Sequence, residues 1–83
     1  MELIEELYKF KQLIEKDTPT ANELKNFFKF VLIERRQEAE RLKGWQWVKV
    51  LNHWAHDYQI GNKGEEETAS GLRTILFLEP IEE

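Results

Sequence analysis

The chain of 83 residues has no cysteine, two prolines, four glycines, one serine and one methionine. Without cysteine there is no disulfide, no thiolate metal ligand and no thiol nucleophile. The single serine, Ser70, lies in an acidic stretch with no histidine near it in sequence, so a serine hydrolase set is not expected either. No Gly-rich phosphate loop is present; Gly61-Asn62-Lys63-Gly64 is too short a match to a nucleic-acid-binding GxxG loop to carry weight. Long apolar runs are also missing. The longest, 30–33 and 75–78, hold four residues each, whereas a membrane-spanning helix needs about 20. No membrane partner is expected. The opening MELIEEL is acidic, unlike the basic start of a secretory signal. With the missing cysteines, that makes a cytoplasmic location the expectation. A basic excess is lacking too, since the net charge is −4. A surface that tracks a phosphate backbone needs a basic stripe. Arg35, Arg36, Arg41, Lys43 and Lys49 come close to one, but Glu34, Glu38 and Glu40 interleave with them.

What is present is apolar and aromatic pattern. Hydrophobic residues make up 41% of the chain and charged residues 34%, the composition of one globular domain rather than a disordered tail. A chain this short buries only about 64% of the surface its extended form exposes. Its ten aromatic side chains therefore matter for stability.

Residues 2–16 carry apolar side chains at 3, 7, 10 and 14, one helix face. Glu2, Glu5 and Glu6 come early and Lys16 late, as the helix dipole prefers. Pro19 breaks the chain. The next helix has two possible starts: Thr18 with Pro19 at the first position, or Thr20 with Glu23 as a capping box. It runs to about residue 43, with the stripe Leu24, Phe27, Phe28, Val31, Arg35, Ala39 and Leu42. Phe30 and Ile33 fall on its back. Gly44 is the natural stop. A third helix, 45–60, follows, its apolar arc holding Trp47, Val48, Val50, Leu51, Trp54, Ala55 and Tyr58. Trp45 lies off that arc. Residues 61–71 read as a mobile polar loop, 72–79 as a β-strand stopped by Pro80, and 80–83 as a tail.

The expected architecture is a single, mainly α domain, 1–83: a three-helix up-down-up bundle with one C-terminal β-strand. Its core is Leu7, Phe10, Ile14, Leu24, Phe28, Val31, Trp47, Leu51 and Trp54. No catalytic, cofactor or metal site is expected. His53, His56 and Asp57 share one helix face, yet lack a convincing fourth ligand. The expected function is a non-catalytic protein-binding module, a small regulatory or adaptor subunit. Phe30, Ile33, Trp45, Ile75 and Phe77 form the expected contact surface. The expected partner is a second copy, since two strands 72–79 paired across a dimer would satisfy their backbone groups and cover Phe30 and Ile33; another protein is a further candidate. The alternative is a nucleic-acid-binding module, or an acidic mimic of nucleic acid built on Glu65–Glu67, Glu79, Glu82 and Glu83.

Overall fold

Leu3, Leu7, Phe10 and Ile14 recur at steps of four, three and four, and a helix places all four on one side. In the computed structural model, which describes residues 2–77, they are the buried face of helix α1, Leu3–Lys16. Asp17 ends it, and Pro19 is buried in the turn. The next helix starts at Thr20. The Glu23 backbone N–H donates to Thr20 Oγ1 at 3.2 Å, and the Thr20 N–H donates to Glu23 Oε1 at 2.9 Å. This reciprocal box satisfies two donors that a bare helix start leaves open. It decides between the two starts that the DTPT stretch allows.

Helix α2, Ala21–Lys29, then passes into a π turn, Phe30–Glu34, and continues as α3, Arg36–Lys43. The π turn is marked by the Arg35 N–H, which donates five residues back to the Phe30 carbonyl at 2.9 Å. A π turn inserts one residue into the helical repeat. Every face beyond it is therefore shifted by about one position. Leu24, Phe27, Phe28 and Val31 are buried as the spacing predicts, but Leu32 joins them. Lys43 then takes the half-buried position expected for Leu42, and Leu42 is exposed.

Gly44 joins α3 to α4, Trp45–Gln59, with φ 92° and ψ 154°, a backbone region essentially closed to residues with a Cβ. Trp47, Val48, Leu51 and Ala55 are the buried face of α4, while Trp54 and Tyr58 pack half-buried against it. Gly61, with φ 82°, turns the chain after α4.

The C-terminal region overturns the expected fold class. Among the described residues there is no strand, and 65–77 form helix α5, Glu65–Phe77. The strand expected over 72–79 is helical through Phe77, and its last two residues lie outside the described residues. Most of the loop expected over 61–71 is helix as well. The physical reason is one stripe that crosses the boundary assumed at Gly71. Thr68, Ala69, Leu72 and Ile75 are all buried, at i, i+1, i+4 and i+7. Glu65, Glu66 and Glu67 form the first turn, where the dipole favours acids. A helix also satisfies its backbone groups within the segment, which removes the need for a paired strand. The β-branched and aromatic content of 72–77 is a weak preference, and packing overrides it.

Helix α5 packs on α1 and α4, and two side chains pin it. Trp47 Nε1 donates to the Ile75 carbonyl at 3.0 Å in the interior. Arg73 Nε donates to the Ile14 carbonyl at 2.6 Å, satisfying an orphan acceptor at the end of α1. The core is closed by Phe10 stacked on Phe27, ring centroids 3.9 Å apart. The radius of gyration is 11.7 Å, close to the roughly 12 Å of a well-packed chain of this length.

Candidate functional site

Leu3 to Ile14 turns α1 toward the core, which leaves Ile4 on its outer side. The π turn and Gly44 do the same for Ile33, Leu42 and Trp45. Ile33 is 74% exposed, Trp45 and Ile4 46% each, and Leu42 36%. These side chains border three shallow depressions that meet at one residue. Ile33 and Gln37 line the first, Gln37 and Trp45 the second, and Ile4 and Leu42 the third; Arg41 lines all of them. Gln37 lines the first two depressions and Arg41 all three, so Ile33, Gln37, Arg41 and Trp45 border one continuous face.

The charges here are mostly neutralised by near neighbours. Arg35 Nη1 donates to Glu38 Oε1 at 2.7 Å, and Arg36 Nε to Glu40 Oε1 at 3.3 Å. The hydrogen bond to Glu38 raises the pKa of Arg35 further, so that guanidinium stays charged and engaged. Lys29 stands 3.9 Å from Glu34. Arg41 has no ion pair or hydrogen bond among the described residues. Lys49 Nζ sits 5.5 Å from the Trp45 ring centroid, within cation–π range.

The residues singled out from the sequence do not all come together. Ile33 and Trp45 are on this face. Phe30 is half-buried against the core, with the Arg35 guanidinium 5.6 Å from its ring. Ile75 is 4% exposed, part of the core rather than a sheet edge. Phe77 ends α5, so the edge role proposed for both is lost with the strand. Sequence reasoning missed Ile4, Leu42 and Arg41. Ile4 had a signal, as an apolar residue off the 3-7-10-14 stripe. Leu42 had none, because its exposure follows from the π turn.

No protein-family model, no curated protein and no solved structure matches the chain. The face must be read from its own chemistry. Tryptophan and arginine are the residue types that concentrate binding energy in protein interfaces; here Trp45 stands with Arg41, which has no ion pair among the described residues, and Ile4, Ile33 and Leu42 add apolar area around the depressions.

The polar face of α4 is built differently. Lys63 Nζ reaches Asp57 Oδ2 at 3.0 Å, and His53 Nε2 lies 3.6 Å from the same oxygen. The Lys63 hydrogen bond is the main reason the Asp57 carboxyl titrates below its ordinary value. Lys63 also lies 4.9 Å from the Trp54 ring centroid. Asp57 thus ties the α4–α5 turn down. Among the described residues no three His, Cys, Asp or Glu side chains are grouped to hold a metal ion. No helix among them is long and apolar enough to cross a membrane.

Proposed function

We propose that this chain is a non-catalytic protein-binding module, a small regulatory or adaptor subunit that acts through the face centred on Arg41. The observation that carries this reading is the meeting of three depressions at Arg41 between Ile33, Trp45, Ile4 and Leu42. Leaving an aliphatic side chain in water forgoes roughly 1.5–3 kcal/mol, and Ile33 is exposed by 74% at the centre of a charged turn. The pairing of Arg35 with Glu38 and Arg36 with Glu40 supports a protein partner over a phosphate backbone, because tied guanidinium groups release few counterions. A cytoplasmic location goes with this reading.

The test is site-directed photo-cross-linking in living cells. A photoreactive residue at Gln37, between two of the depressions, is expected to capture discrete protein adducts. The same residue at Asn52, on the polar face of α4, should capture none. Ile33→Glu should suppress the adducts at Gln37. Equal capture at both positions, or none at Gln37, sinks the proposal.

A further inference from the structure

Helix α5 is held in place by its neighbours rather than by its own sequence. Thr68, Ser70, Thr74 and Ile75 are middling helix formers and Gly71 is a poor one. A helix of about this length is marginal in water by itself. Its core-facing side holds Thr68, Ala69, Leu72 and Ile75, two of them small, against Leu3, Leu7, Phe10 and Ile14 on α1. Docking also costs α5 a hydroxyl. Thr68 Oγ1 is fully buried with no hydrogen-bond partner among the described residues, and detachment returns it to water.

The ties that hold α5 are tertiary. Trp47 Nε1 donates to the Ile75 carbonyl, Arg73 Nε donates to the Ile14 carbonyl, and Gly71 lies against the Trp54 ring. Lys63 fixes the turn from which α5 starts, 3.0 Å from Asp57 Oδ2 and 4.9 Å from the Trp54 ring centroid. The other helices have contacts of their own. Phe10 of α1 stacks on Phe27 of α2, Phe28 of α2 lies 6.4 Å from the Tyr58 ring of α4, and α3 packs on α4. None of these passes through α5.

We propose that α5 is a strap that undocks as a unit about the 60–64 turn while α1 to α4 stay folded. Undocking frees the Trp47 indole N–H and bares the Trp54 ring, so α5 governs access to two of the three tryptophans. Lys63 sits on the hinge and keeps its hold on Asp57, which returns α5 to the same seat. Elements with few buried apolar side chains are the ones that open first within a native fold.

Native-state hydrogen exchange of the full chain, read by NMR in low urea, tests this. The Leu72 and Ile75 amides are expected to share one protection factor, at least about tenfold below those of Leu51 and Ala55 in α4 and Phe10 in α1. The Trp47 indole proton should exchange with the α5 set, although its residue belongs to α4. Leu32→Ala, buried in the π turn outside the two helices that α5 packs on, should lower the protection of α4 and leave that of Leu72 and the indole unchanged. Arg73→Gln should lower the protection of Leu72 and the indole. One protection factor for α4 and α5, loss of α1 protection together with α5, an indole proton that follows Leu51, or a Leu32→Ala effect equal in α4 and α5 overturns the proposal. The parent chain alone decides the first three.

Discussion

Trp45 and Trp47 are two residues apart, and they belong to different parts of the molecule. Trp47 is fully buried, its indole N–H spent on the Ile75 carbonyl. Trp45 is 46% exposed, with the Lys49 ammonium 5.5 Å from its ring centroid. The α4–α5 contact around Trp47 and Trp54 is closed by a helix, a hydrogen bond and a lysine. The junction around Arg41 has the same kinds of residue and no covering element among the described residues. An aromatic side chain is therefore core or surface according to what is packed over it. A two-residue step along α4 turns the side chain through about 200°.

The largest expected effect tests that contrast directly. Trp47→Ala removes a buried indole and orphans the Ile75 carbonyl. It should lower unfolding free energy by about 3–5 kcal/mol, enough to unfold a domain at the low end of ordinary stability, about 5 kcal/mol. Trp45→Ala should change it by less than about 1 kcal/mol. Urea titration followed by circular dichroism reads both. Comparable losses for the two would show that Trp45 belongs to the core.

Next comes Gly71. A Cβ placed there would lie 2.6 Å from the Trp54 ring. In an open helix Gly→Ala stabilises by up to about 1 kcal/mol. Here Gly71→Ala should instead cost about 1–3 kcal/mol, as overpacking does. In a Trp54→Leu background the same change should become neutral or stabilising, because the two sites are coupled through one contact. Equal effects in both backgrounds would show that the close approach is unimportant.

Thr68 should show a smaller effect of opposite sign. Its hydroxyl is fully buried and has no hydrogen-bond partner among the described residues. Thr68→Val replaces it with a methyl of similar shape and should raise stability by about 1 kcal/mol. A lower urea midpoint for the variant would mean that the hydroxyl is satisfied in solution.

The smallest effect concerns the polar face. The Asp57 carboxyl is held below its ordinary value by Lys63, with His53 and His56 adding to the same direction. A depressed carboxylate contributes stability above its unfolded value, near 4, and loses that contribution as pH falls through its folded value. Asp57→Asn should therefore flatten the decline of the urea midpoint below pH 4 relative to the parent chain. Superimposable acid limbs would show that the ion pair carries no stability.

Helices α1, α2 and α4 were legible because periodicity survives in them. The 3-7-10-14 stripe of α1, the box at Thr20 and Glu23, the stop at Gly44 and the arc of α4 each combine spacing with a local signal. All nine residues expected in the core lie in it or pack against it. Helix α5 was misread because Gly71 and the triple glutamate look like loop punctuation in isolation. Gly71 is there for the ring of Trp54, which the linear pattern does not show. Two of the five expected contact residues, Ile33 and Trp45, are exposed together. Phe30 is half-buried against the core, and Ile75 and Phe77 were chosen for a strand whose described residues, 72–77, are helical.

Helical class over residues 3–59, the two chain breaks at Pro19 and Gly44, and the identity of most core side chains follow from the amino-acid pattern alone, since they depend on spacing along a single helix. The state of residues 65–77 and the face around Arg41 depend on what lies across from them. A segment with both β-branched residues and a helical stripe takes the form that packs, and α1 and α4 offer α5 a surface, a carbonyl for Arg73 and an indole for Gly71. The π turn rotates Leu42 outward and leaves Arg41 among exposed apolar side chains. One inserted residue in a helical turn changes every face beyond it, and that insertion is a property of the packed helix rather than of any motif in the chain.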